Sequence, residues 1–246
     1  MATVPKALNP YKRPAWKPRT KAGPGPLTHS KFGGRPWLPP GEPWPECPNC
    51  LQPMQFFMQL DLNKVPEDIQ GDFGEGLLQV FYCTSVEPDC AVETEAWFPF
   101  AKGNLARIVH PEGDDAESEP HDLDLALKPF PQKMIVGWDE LIDYPDPEEA
   151  EAMGVDLDDK DWDALEALEK KGTSIPRDGD KLSGWPFWAA QSADYPDCPV
   201  CAGRMQFIFQ IESDQNLPFS FGDGGCGYIT QCEIHQDQVA FSWASA

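Results

Sequence analysis

The chain has 246 residues, 41% of them hydrophobic and 11% aromatic, enough for one or two domains with a sizeable core. Its formal net charge of −22 excludes a protein that works by neutralising nucleic-acid phosphates. No run of eighteen apolar residues occurs, so no membrane span is expected, and 27 prolines with 20 glycines favour turns over long helices.

Residues 1–28 read as a flexible, basic, Pro-rich arm. Residues 1–41 hold eight Lys/Arg and no Asp or Glu, whereas the remainder holds eleven basic and forty-one acidic residues. The arm lacks the apolar stretch of a secretory signal, so the expected compartment is the cytoplasm. Charges spread among prolines predict a disordered tail, with at most weak contact to nucleic acid.

Residues 29–102 read as a first β repeat. It opens on KFGGRPW (31–37) and continues through CPNCLQPMQFFMQLD (47–61). Met54, Phe56, Met58, Leu60 and Leu62 alternate with Gln55, Gln59 and Asp61, which is the period of a half-buried strand. GDFGEG (71–76) supplies a turn into GLLQVFYC (76–83), and ETEAWFPF (93–100) reads as the last strand. No Gly-Lys-Ser/Thr follows the glycines, so they are not a phosphate loop.

Residues 103–176 read as an acidic loop followed by helices. Within 112–169 lie twenty-one acidic and three basic residues. PEGDDAESEPHD is expected to be a mobile loop. Asp146 as cap, Pro147 at the first position and Gly154 beyond the end predict one helix. DDKDWDALEALEKKG predicts a second, with Trp162, Leu165 and Leu168 on one stripe docked onto the β repeats.

Residues 177–246 repeat the first unit. KLSGWPF (181–187) answers KFGGRPW, with Gly three and Pro five residues after the Lys. CPVCAGRMQFIFQIE (198–212) matches 47–61 at seven of fifteen positions without a gap, Met205, Phe207, Phe209 and Ile211 matching the apolar set. GCGYITQC (225–232) and QDQVAFSW (236–243) follow in the same order, against 76–83 and 93–100. The reading is an internal duplication, giving an α+β, β-rich fold of two pseudo-symmetric repeats.

Each repeat carries a Cys-x-x-Cys pair on a turn that enters a strand. Such a turn points two thiolates at one ion and needs a second pair to complete a tetrahedron. For Cys47 and Cys50 the second pair is Cys83 and Cys90; for Cys198 and Cys201 it is Cys232 and His235. Soft thiolates favour zinc, so two structural zinc ions are expected, each closing its repeat as a zinc knuckle. Disulfides suit the even count of eight cysteines but not a chain without a secretory signal. A thioredoxin-like pair would stand before a helix, whereas here a strand follows. Cys226 falls opposite Leu77 and reads as a buried thiol, with replacement of His235 as ligand left open. His29, His110 and His121 have no ligand-spaced neighbours. Neither Gly-x-Ser-x-Gly nor His-Glu-x-x-His nor a nucleotide fingerprint occurs, so no enzymatic activity is expected.

At these residues the chain resembles the bacterial YwqG-like family of unknown function. KFGGRPWLPP with CPNCLQPMQFFMQLDL is similar to that family's opening, GWDELIDYP (137–145) to a mid-domain segment, and GCGYITQCEIHQDQVAFSW to its close. The opening also resembles eukaryotic programmed cell death protein 2, which implies a chaperone-like role toward a basic ribosomal protein. The expectation is a zinc-stabilised protein-interaction module with a basic client. Its candidate surface joins the acidic insert to Trp37, Trp44, Trp185 and Trp188, although clustered Pro-Trp stretches read first as core closure. An immunity-type protein that neutralises one toxin is the alternative, and an enzyme the remaining one.

Overall fold

The computed structural model describes residues 3–111, 128–189 and 193–245. The expected acidic loop at PEGDDAESEPHD, with His121, lies almost wholly outside them. A 3-10 helix (Lys6–Tyr11) precedes β1 (Arg13–Ala22), β2 (Lys31–Phe32), β3 (Gln55–Asp61) and β4 (Leu77–Tyr82). Then come the short α1 (Cys90–Glu93), β5 (Asn104–Val109), β6 (Lys133–Asp143), α2 (Pro147–Ala152) and α3 (Asp159–Glu169). The chain ends with β7 (Lys181–Ser183), β8 (Gln206–Glu212), β9 (Cys226–Gln231) and β10 (Val239–Ala244). Among the described residues no helix is long and apolar enough to cross a membrane.

The ten strands form one antiparallel sheet in the order β10-β9-β8-β7-β1-β6-β2-β3-β4-β5. Its edge strands β5 and β10 pack against each other, so the sheet nearly closes into a barrel. Trp243 marks the seam: its amide donates to the Trp97 carbonyl at 3.0 Å, and its indole N–H to the Tyr82 hydroxyl at 2.9 Å. Inside, the rings of Phe57, Tyr82, Phe219, Phe221 and Phe241 pack edge-on or tilted, 4.9–6.2 Å apart. Aromatic pairs favour that geometry over flat stacking.

The arm expected over 1–28 is not free. Residues 13–22 are β1, paired along their whole length with β6 and at Ala15 and Trp16 with β7. The signal was present: Lys17, Arg19 and Lys21 share one exposed face, while Trp16 and Pro18 are buried on the other. Pro14 and Pro18 fall on the same alternation, so their missing N–H groups open toward one edge of the strand. The acidic segment 103–176 likewise contains two strands, β5 and β6, as well as the helices.

β1 pairs with β7 on one side and β6 on the other, and β6 pairs with β1 and β2, so these two long strands join β7–β10 and β2–β5 into one sheet.

The alternation read in the repeated strand is interrupted. Both β3 and β8 carry a register shift, between Phe56 and Met58 and between Phe207 and Phe209. A bulge of this kind places one extra residue in the strand and turns the alternation over. Phe57, Met58 and Leu60 therefore enter the barrel interior, while Met54 and Phe56 pack with Cys47, Cys83 and Cys90 outside it. Both strands are buried on both faces in their middle, not half-buried as expected. The expected strand 93–100 is a series of turns, with Glu95 and Phe100 at positive φ, and β5 is the strand that answers β10.

Both helices start where expected. The Asp146 carboxylate accepts from the amides of Glu148 and Glu149, and Asp158 forms a reciprocal capping box with Asp161. Leu165 docks on the 3-10 helix through Leu8 and on α2 through Ala150, rather than on the barrel strands. Trp162 remains partly exposed.

Two candidate metal centres

Cys47 and Cys50 lie on a turn held by three backbone bonds: Met54 N to Pro45 O at 2.9 Å, and Cys47 N to Gln52 O and Leu51 N to Cys47 O at 2.8 Å each. Leu51 closes it at φ 59. The second turn has the same three bonds, Met205 N to Pro196 O at 2.9 Å, and Cys198 N to Gly203 O and Ala202 N to Cys198 O at 2.8 Å, closed by Ala202 at φ 53. A left-handed residue there turns the chain back so that both thiols of each pair face the same side.

The rest of each site comes from the next strand. Cys83 follows β4 and Cys90 begins α1, whose first turn is capped by Asp89. Cys50 Sγ lies 3.6 Å from Cys83 Sγ, and Cys47 Sγ 3.9 Å from Cys90 Sγ. In the second centre Cys201 Sγ is 3.6 Å from Cys232 Sγ, and His235 Nδ1 is 3.8 Å from Cys198 Sγ and 3.7 Å from Cys232 Sγ. Within each set of four all ligand atoms lie within 4.8 Å of one another. A tetrahedral ion with metal–sulfur bonds of about 2.3 Å spaces its sulfurs by about 3.8 Å. A disulfide needs sulfurs about 2.05 Å apart, and all eight cysteines are free thiols. The two sets can therefore hold a metal ion each, and all eight residues named from the sequence are brought together.

The surroundings favour thiolates in an uneven way. Val200 N donates to Cys198 Sγ at 3.4 Å and His235 N to Cys232 Sγ at 3.3 Å. The His235 amide is the leading reason that the Cys232 thiol is pushed down to about 6. At the first centre Asn49 Nδ2 donates to Cys90 Sγ at 3.4 Å, while burial pushes the Cys83 thiol up. Metal loading must displace that proton, which couples the first site to pH.

Cys226 stands apart from both sets, packed with Phe207 and Tyr228, and burial pushes its thiol up to about 12. The four tryptophans of the candidate surface serve closure: Trp37 and Trp185 are buried. The indole N–H groups of Trp44, Trp185 and Trp188 donate to Met54 O, Tyr11 O and the Glu149 carboxylate. Beside Trp185 opens a cleft of about 720 Å³ lined by Arg13, Glu149, Tyr195 and Arg204, among others. Arg13 stacks on Trp185 and Arg204 on Tyr195, with Arg204 also 3.1 Å from Glu149. Neither arginine is legible as a site residue in the sequence, because only folding brings residue 13 beside residue 185.

Among known proteins, the uncharacterized protein YpfL of Salmonella typhimurium is 36% identical over 62 residues, 25% of this chain and 14% of that protein. The aligned stretch thus spans about a seventh of that relative's length. Neither this likeness nor the family match supports a kinship with programmed cell death protein 2. Residues 30–242 match the family described as DUF1963, a domain of unknown function, and the chain belongs to that family.

Proposed function

We propose that the protein is an interaction module whose two units are each closed by a structural zinc ion, and that its partner is a basic protein. One observation carries the reading: each centre offers four ligand atoms within 4.8 Å, a full tetrahedral set. A catalytic zinc keeps one position open for water or substrate, whereas structural zinc is closed by four protein ligands. Three or four thiolates per site select a soft ion and favour zinc over magnesium or calcium. The metal then holds a binding surface in shape.

The charge points to the partner. At −22 the molecule attracts a basic protein at long range and repels nucleic acid and anionic membranes. A chaperone-like role toward a basic client, in a cytoplasm that keeps the thiols reduced, is the form of this reading we favour. The matching turns, bulges and ligand sets fit descent of both units from one duplicated ancestor. Affinity capture from the native host across a salt series tests the proposal. The expected outcome is a basic partner that dissociates as salt rises. A single tight, salt-insensitive partner would instead support the immunity-type alternative.

A further inference from the structure

The largest exposures of apolar side chains gather at the metal centres. Leu51 is 71%, Val86 80% and Val92 62% exposed, and all three stand beside ligands of the first centre. Leu51 follows Cys50 directly, Val86 forms a bridge with Asp89 next to Cys90, and Val92 lies in α1, two residues after Cys90. Asn49 bonds Cys90 Sγ and the Glu93 carboxylate, tying the Cys47–Cys50 turn to α1. The loops bearing these side chains thus converge on one four-sulfur cluster. Phe98 and Phe100, 49% and 46% exposed, lie on the turns after α1. Single exposed apolar residues are ordinary, but a group of them on loops pinned to one point marks a contact surface. An ion in the cluster would hold those loops still, so docking there would cost little ordering.

The rim specifies the occupant. From Thr84 to Phe100 the chain carries Glu87, Asp89, Glu93 and Glu95 and no Lys or Arg, and all four carboxylates are exposed. An anionic lipid surface is repelled by that rim. We propose that the tip of the first centre, Leu51, Val86 and Val92 within the carboxylates of Glu87, Asp89 and Glu93, docks a protein segment whose apolar side chain is flanked by Lys or Arg. The inference deepens the proposed function and rests on it. Among the described residues the second centre presents two such apolar side chains, Val200 and Ile234, with Arg204 on the same turn-to-strand segment, and serves as the internal control.

The test uses the full zinc-loaded chain and fluorescent synthetic peptides in which Leu or Phe is flanked by Lys or Arg. Leu51→Ser with Val86→Ser is expected to weaken binding about tenfold or more, as truncated anchors do. Glu87→Lys with Glu93→Lys should abolish its salt dependence. Val200→Ser with Ile234→Ser should leave affinity within about twofold, since those residues lie outside the docking tip. Zinc content and circular dichroism show that each variant is folded. Folded first-centre variants that bind as tightly as the unsubstituted chain would overturn this site while leaving the proposed function intact. An unsubstituted chain that binds none of these peptides, and captures no basic protein, would sink both.

Discussion

Lys31 and Lys181 occupy matching places in the two units and are both fully buried, yet their ammonium groups are met differently. Lys181 lies 2.8 Å from Asp143, whose carboxylate also accepts from the amides of Arg177, Trp185 and Tyr144. Asp143→Asn would strand a buried cation and is expected to cost about 3–5 kcal/mol in urea unfolding. Lys31 has carbonyl partners, Arg35 O at 2.9 Å and Pro26 O at 3.4 Å, and burial lowers it to about 8. Its folded value is depressed below the unfolded one, so the burial penalty is complete below pH 8 and is relieved as pH rises toward the unfolded value. Stability of the unsubstituted chain should therefore gain on that of Lys31→Met between those limits, and equal slopes in the two proteins would refute it. The sequence showed these lysines as markers of a repeat. It could not show burial, because a lysine is expected at the surface until a fold supplies its partners.

At the scale of elements, β3 and β8 were legible because seven residues of regular alternation carry a strand signal by themselves. The bulges were not, since an inserted residue changes which face a side chain meets without changing its type. β1 carries an alternation of basic and buried residues, but two prolines argue against a strand there, and its support comes from residues more than a hundred positions away in β6. Deleting residues 1–28 should leave β6 and β7 without their shared neighbour. The truncated chain is expected to lose its cooperative thermal transition, where removal of a flexible arm would leave the transition in place. The helices were readable because their caps and glycine stops are local, and Gly184 shows where locality ends. Its φ of 82 suits glycine, but a Cβ there would also lie 2.7 Å from that of Ala15, a clash that only the β1–β7 pairing creates.

For the whole molecule, the two candidate metal centres stand at the turns before β3 and β8, two strands of one continuous sheet. In zinc-finger peptides such a site supplies roughly 10–16 kcal/mol of apparent folding energy. Protein purified without chelator is expected to contain two zinc ions per chain by elemental analysis, and chelation should lower the thermal midpoint sharply. Cys90→Ser should reduce the metal content to one and weaken the first unit, and retention of both ions would remove Cys90 from the ligand set. Because a single ten-stranded sheet connects the two sites, damage at one centre should broaden unfolding of the whole barrel rather than release one half intact.

Eight candidate ligands, their division into two sets of four and the β-rich class were legible in the sequence alone. Cys-x-x-Cys turns and strand periods are local patterns, and each copy reinforced the other. Tertiary structure decided which strands meet. It brought the opening segment into the middle of the sheet, made β5 rather than 93–100 the edge strand that faces β10 while Trp97 bonds across the seam, and turned the alternation of β3 and β8 over at their bulges. Strand pairing depends on hydrogen bonds between distant backbones, to which side-chain composition is largely blind. It also decided that exposed Leu51, Val86 and Val92 stand on loops that meet at one four-thiol cluster, since that grouping exists only when four sulfurs, separate in sequence, converge.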